Sequence, residues 1–132
     1  MKKLDLWNLK EGRIVASFND EKTRSLSLSV STDGNFIALG MKEGTIILFD
    51  VRQEKIISRL RAHTALVKSL NFTPDSETLV STSNDGTARF WKVATGQLAL
   101  TLLQRGGING ASLSQDGSLL ATGGEDGTVV TD

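Results

Sequence analysis

An all-β fold is what this sequence predicts, and three observations carry the prediction. Leu26, Leu28 and Val30 alternate with Ser27 and Ser29, the period of two that marks a half-buried strand. Turn dipeptides such as Asp33-Gly34, Glu43-Gly44, Asp85-Gly86 and Asp116-Gly117 interrupt the apolar runs too often for helices, which average about 11 residues. The pattern also recurs: Gly44, Gly86 and Gly127 stand 42 and 41 residues apart, and Trp7, Phe49 and Trp91 stand 42 apart. Short strands repeated at a fixed period in the forties select a β-propeller, whose four-stranded blades take about 40–45 residues. The expected fold is a β-propeller segment of about three four-stranded antiparallel blades, completed to a closed ring by self-association.

Taken in order, Leu4 to Leu9 and Arg13 to Phe18 read as two strands around a turn at Glu11-Gly12. They form a half blade over residues 1–18. The next blade, 19–60, holds strands at Leu26 to Val30, Phe36 to Met41, Thr45 to Val51 and Glu54 to Leu60. The blade at 61–102 repeats them at Leu66 to Phe72, Thr78 to Ser83, Thr87 to Val93 and Gln97 to Leu102. Pro74 fixes φ at the start of its first turn. A partial blade, 103–132, runs from Ile108 through Leu119 to Gly123 and ends in Gly127 to Asp132. Asp85-Gly86 predicts a tight hairpin, because such turns need φ > 0.

The 15 basic and 15 acidic residues cancel, which argues against a nucleic-acid or membrane-surface patch. With no cysteine there is no disulfide, thiol nucleophile or cysteine metal site. No apolar run approaches the ~20 residues of a membrane helix, and the Lys2-Lys3 start lacks the apolar core of a signal peptide. A cytoplasmic location is the expectation.

The best copy contains Ala62-His63 followed by LNFTPDSETLVSTSNDGTARFW, and here the sequence resembles the WD-repeat β-propeller family over nearly its whole length. His63 follows Ala rather than Gly, and Trp91 precedes Lys92 rather than Asp. The resemblance implies a structural network of His63, Ser81, Asp85 and Trp91. Trp91 brings one N–H that needs a partner when buried. Ser81 accepts it and donates to the imidazole, and Asp85 fixes the imidazole tautomer. Ser83, on the same strand face, is the alternative to Ser81. The first copy offers Glu21, Leu39, Glu43 and Phe49 at these places, and the third offers Thr122 and Asp126. On this reading His63→Ala is costly and Asp85→Asn milder.

Rival readings are weaker on physical grounds. His63, Ser81 and Asp85 could be a catalytic group, but a hydroxyl spent on a buried indole is a poor nucleophile. The acidic turns at Glu43, Asp85, Glu125 and Asp126 suit turn chemistry better than a metal site. Gly106-Gly107 lacks the Lys-Ser/Thr of a phosphate loop. Trp7, Phe49 and Trp91 are expected between blades rather than in a ligand-stacking ladder. No catalytic residue, metal or cofactor is expected.

The function that the resemblance implies is a non-catalytic protein-interaction scaffold. The alternatives are a structural or engineered propeller piece without a ligand and, further off, a propeller hydrolase or lyase. The partner-binding candidates implied by the resemblance are Lys42, Asn84 and Glu125 before the turns, and Arg24, Leu26, Leu66, Lys68 and Asn109 at the inner-strand starts. The protein or peptide bound there is not specified, and neither nucleic acid nor membrane is expected. The first partner is the chain itself. Three blades do not close a circle, as propellers have about 4–8. Two copies give about six blades, and a trimer of about nine is the alternative.

Overall fold

The structure is a computed structural model that describes residues 4–18, 25–124 and 129–131, with the backbone alone at 4, 15, 16, 18, 25, 26 and 129–131. Glu21, Arg24, Glu125, Asp126 and Asp132 lie outside the described residues, as does the start of the expected last strand at Gly127. Among the described residues every regular element is a strand: β1 (Leu4–Asn8), β2 (Arg13–Phe18), β3 (Ser25–Val30), β4 (Phe36–Met41), β5 (Thr45–Asp50), β6 (Lys55–Arg61), β7 (Val67–Phe72), β8 (Thr78–Ser83), β9 (Thr87–Lys92), β10 (Leu98–Leu103), β11 (Ile108–Leu113), β12 (Leu120–Gly124) and β13 (Val129–Thr131).

Consecutive strands pair antiparallel into four separate sheets, β1-β2, β3-β4-β5-β6, β7-β8-β9-β10 and β11-β12-β13. The middle two are four-stranded meanders, the form of a propeller blade. A register shift recurs at the start of each innermost strand, between Ser25 and Ser27, Val67 and Ser69, and Ile108 and Gly110. Such bulges bend a strand and increase its local twist.

The sheets stack face to face through three cores. Leu6 packs on Ile37, Leu39, Met41, Ile47 and Phe49, joining β1 to the second sheet. Ala38, Ile46, Leu48 and Leu60 meet Val67, Leu70, Phe72, Leu79 and Trp91 between the second and third sheets. Val80 and Ala88 meet Ile108 and Leu120 between the third and the last. Both faces of β4 and β8 are therefore covered, which explains why these strands are apolar or small on both sides and buried almost throughout.

Glycines mark where one sheet touches the next. A Cβ on Gly44 would overlap the carbonyl of His63, and one on Gly86 would stand 2.8 Å from the carbonyl of Gln104. Both sit at positive φ, 104° and 88°. Their own carbonyls accept the amides of His63 and Gln104 at 3.0 and 2.7 Å, so each turn is tied to the strap entering the next sheet.

One expectation is met and another needs correction. The tight hairpin expected at Asp85-Gly86 joins β8 to β9 through a three-residue loop, Asn84 to Gly86, with positive φ at Gly86 alone. Asp85 Oδ1 accepts the Thr87 amide at 2.9 Å, which favours an ordinary φ at Asp85 and leaves the left-handed step to glycine. Trp7, expected between blades, is 54% exposed, whereas Phe49 and Trp91 in the equivalent slots are 3% and 5% exposed.

Candidate functional site

The third sheet brings His63, Ser81, Asp85 and Trp91 into one hydrogen-bonded chain. Ser81, fully buried on β8, stands opposite Arg89, and Leu79 stands opposite Trp91, so the serine and the indole share one face. Trp91 Nε1 donates to Ser81 Oγ at 2.9 Å. Ser81 Oγ lies 2.7 Å from His63 Nε2. The other imidazole nitrogen, Nδ1, lies 3.0 Å from Asp85 Oδ2 and 2.9 Å from Thr87 Oγ1.

Proton bookkeeping fixes the tautomer. Thr87 Oγ1 donates to Asp85 Oδ1 at 2.6 Å, so its hydroxyl proton is spent. Thr87 can then only accept, and Nδ1 must carry the imidazole proton, shared between Thr87 and Asp85. Nε2 is left as an acceptor for the Ser81 hydroxyl, and Ser81 accepts from Trp91. Each donor in the chain has an acceptor, from the indole to the carboxylate. Asp85 also takes the Thr64 amide at 3.1 Å, so four donors converge on its two oxygens.

Burial pushes the pKa of His63 below its ordinary 6.5, outweighing the upward pull of Asp85, and the nearby Arg89 adds to the lowering. For Asp85, burial pulls upward, but hydrogen bonds from Thr87 and Thr64 and the His63 ring hold it below 3.8. The side chains of His63 and Asp85 are 0% and 8% exposed. A substrate has no path to this hydroxyl and imidazole, so the arrangement suits holding a blade together rather than acyl transfer. Ser83, the alternative to Ser81, instead donates to Ala65 O and accepts the Asp85 amide, at 3.2 and 3.1 Å.

Two participants escape a reading based on His, Ser, Asp and Trp. Thr87 is one; its signal was the threonine after the turn glycine, repeated at Thr45 and Thr128. Gln104 is the other. It lies 41 residues after His63, as Thr122 does after Ser81, and Thr122 Oγ1 donates to Gln104 Oε1. The last sheet therefore holds a shortened version of the network with an amide in place of the imidazole.

A second repeated device sits at the opposite end of the sheets. Ser31, Thr73 and Ser114 each donate to the aspartate two residues on, Asp33, Asp75 and Asp116, at 2.6, 2.6 and 2.8 Å. Each aspartate also accepts a backbone amide two residues further along. These bonds lower all three carboxyls; for Asp116, the Ser118 hydroxyl and amide and the Ser114 hydroxyl bring it from 3.8 to about 2. A cavity of about 450 Å³ opens there between the second and third sheets, beside Phe36, Ser76 and Val93.

The recognition candidates gather at the end that bears the β4–β5 and β8–β9 turns. Lys42 and Asn84 are exposed in those turns, and Lys68 and Asn109 are exposed near the starts of β7 and β11. Leu66 is half-buried just before β7. Pairing of Val67 with Ser83 and of Ile108 with Gly124 puts the strand starts beside the turn ends. Of Leu26 only the backbone position on β3 is described, opposite the Lys42 turn; Arg24 and Glu125 are outside the described residues. Among the described residues no three His, Cys, Asp or Glu side chains converge as metal ligands would.

Comparison with known proteins agrees with this architecture. The family model described as Nucleolar protein 10-like, N-terminal domain, a β-propeller, matches residues 3–131. A WD repeat-containing protein of Synechocystis sp. is 34% identical over 122 residues, 91% of this chain and 35% of that protein. Apoptotic protease-activating factor 1 of Danio rerio is 34% identical over 86 residues, 65% of this chain and 7% of that protein. Pre-mRNA-processing factor 19 of Mus musculus is 31% identical over 96 residues, 72% of this chain and 19% of that protein. The chain thus spans about a third or less of the length of these curated relatives. With the repeated sheets, the glycine-spaced turns and a match over 3–131, the chain belongs to the WD-repeat β-propellers, in the family of the Nucleolar protein 10-like, N-terminal domain.

Proposed function

We propose that this chain is a non-catalytic protein-interaction scaffold whose blades join those of a second copy in a closed ring of about six. Kinship with WD-repeat proteins supports the scaffold role. One observation carries the ring. Leu28 and Val30 on β3 occupy the slots that Leu70 and Phe72 occupy on β7, one period later. Leu70 and Phe72 are 6% and 8% exposed; Leu28 and Val30 are 56% and 43% exposed. The sequence slot is the same and the neighbour differs. Among the described residues a full sheet stands before β7, and the two-stranded sheet β1-β2 stands before β3.

The covering surface that β3 needs is a pair of inner strands, and β11 and β12 are inner strands. Set beside β1 and β2 of a second copy, they make a complete blade, giving three blades per chain. A ring of three copies and about nine blades is the alternative closure. In the ring, Lys42, Asn84, Leu66, Lys68 and Asn109 lie at one end, where a protein or peptide would dock; Arg24, Leu26 and Glu125 are candidates by sequence slot alone.

The test is charge at the joint. Leu28→Lys with Val30→Lys leaves the single chain intact, because both side chains are already exposed in it, but places two cations in the apolar contact between copies. The variant is expected to run as a folded 14.2 kDa monomer where the unaltered chain assembles. Assembly unaffected by the double substitution would refute this joint.

A further inference from the structure

The cavity of about 450 Å³ between the second and third sheets has two unlike parts. Its floor is apolar: Phe36 and Val93 reach it from the core that joins the two sheets. Its rim is acidic. Asp33, Asp75 and Glu77 stand there against one cation, Lys92, and among the described residues no ion pair ties Lys92 to any of them. Both sheets are complete four-stranded meanders of one chain, so the cavity is formed without a second copy.

The carboxylates are held in place. The Ser31 hydroxyl and the Asn35 amide fix Asp33 through Oδ1, and the Thr73 hydroxyl and the Glu77 amide fix Asp75 in the same way. Oδ2 of each takes no part in these bonds. The same bonds hold both carboxyls below the ordinary 3.8, so both are charged at neutral pH. The Asp33 amide donates to Ser76 Oγ of the next sheet at 3.2 Å, which ties the two turns together. The Glu77 side chain lies beside that of Asp75, so like charges share this rim, an arrangement that a bound cation relieves.

This composition is not a by-product of the repeat. One period later the slots of Phe36, Ser76 and Glu77 hold Thr78, Gly117 and Ser118, without the aromatic ring and the third carboxylate. The volume falls within the range of ligand sites, about 300–1,000 Å³. An apolar floor under a fixed acidic rim matches a long side chain with an alkyl stem and a cationic head. A guanidinium fits better than an ammonium, because it stacks on an aromatic ring and its five N–H donors serve several carboxylate oxygens at once.

We propose that this cavity takes an arginine side chain presented by an extended segment of a partner protein, with its stem against Phe36 and Val93 and its guanidinium among Asp33, Asp75 and Glu77. The site lies at the end of the sheets opposite the β4–β5 and β8–β9 turns, so it is a second docking place and stands whether or not the ring forms.

Titration of the ¹⁵N-labelled full chain with acetyl-Ala-Arg-Ala-amide tests it. The amides of Ser76, Glu77 and Val93 are expected to shift and saturate. The citrulline peptide, which keeps the shape and loses the charge, is expected to leave them unmoved, and the lysine peptide to bind more weakly. Glu77 and Lys92 are both exposed, so their charges can be reversed with the rest of the amide spectrum unchanged. E77K is expected to weaken binding of the arginine peptide about fivefold and K92E to strengthen it by about as much, the upper range for an exposed ion pair. Equal shifts from the citrulline or lysine peptide, shifts confined to the opposite end of the sheets, or an affinity that follows neither E77K nor K92E would overturn the site. Shifts of the same amides with protein concentration alone would assign the cavity to a second copy and overturn it as well.

Discussion

Asp85→Asn is the most informative single substitution in the network. Oδ1 accepts the Thr87 amide and hydroxyl at 2.9 and 2.6 Å, and Oδ2 accepts the Thr64 amide and His63 Nδ1–H at 3.1 and 3.0 Å. An asparagine must point an NH₂ group at one of these donor pairs. At the Oδ1 place it would face the buried Thr87 amide, which has nowhere to turn. At the Oδ2 place the network has a way out: the imidazole moves its proton to Nε2 and accepts the amide at Nδ1. Ser81 then accepts from both rings and donates to Arg89 O, 3.4 Å away. The Thr64 amide is exposed and turns to water. What is lost is one charge-assisted set of bonds, about 2 kcal/mol. For a chain of this size that is a fall in melting midpoint of roughly 6–10 °C. His63→Ala removes one donor from Asp85, frees Ser81 for Arg89 O and leaves the buried space of the imidazole empty, so the ranking read from sequence, with His63→Ala the costlier, is checked by melting both variants side by side. With one histidine in the chain, long-range ¹⁵N–¹H correlation reads the tautomer directly. The expected result is Nδ1–H in the unaltered protein and Nε2–H in the variant. An Nε2–H tautomer in both, or an unchanged midpoint, would refute the proton bookkeeping.

Two further outcomes follow from the turns and the ionisable groups. Ser76 sits at φ 62° where the other two copies have Gly34 and Gly117, yet its Oγ accepts the Asp33 amide of the neighbouring sheet at 3.2 Å. A left-handed non-glycine costs about 1 kcal/mol and the hydrogen bond returns about as much. Ser76→Gly should therefore change unfolding free energy by under about 0.5 kcal/mol, whereas Ser76→Ala, which keeps the strain and loses the bond, should cost about 1 kcal/mol in urea titration. The folded state also prefers neutral His63 and ionised Asp116. Since the pKa of His63 is lowered from 6.5, its contribution is whole above that pH and is lost as pH falls through the folded value. Asp116, lowered from 3.8 to about 2, loses its contribution in that lower window. Denaturant titration against pH should show stability falling in both windows, and His63→Ala should remove the upper step alone.

Legibility in the sequence followed the physics of repetition. Strand positions, the hairpin order and the group of His63, Ser81, Asp85 and Trp91 were readable because each blade solves the same packing problem at the same spacing. Thr87 was missed because a threonine opening a strand reads as strand propensity, while its second role depends on where Asp85 turns its carboxylate. Gln104 was missed because it does by an amide what His63 does by an imidazole. The exposure of Trp7, Leu28 and Val30 could not be read at all: their strand patterns match those of Phe49, Leu70 and Phe72, and only the neighbouring sheet makes the difference. The hairpin at Asp85-Gly86 was legible, but its loop length was not, since that depends on the Asp85 carboxylate holding the Thr87 amide.

The central claim is that the end sheets of one chain are completed by another copy. Native mass spectrometry of the unaltered chain at micromolar concentration tests it most directly. The account predicts a closed species of two 14.2 kDa chains with little monomer and no ladder of larger adducts. A folded 14.2 kDa monomer as the only species, with native-like circular dichroism and cooperative unfolding, would contradict it.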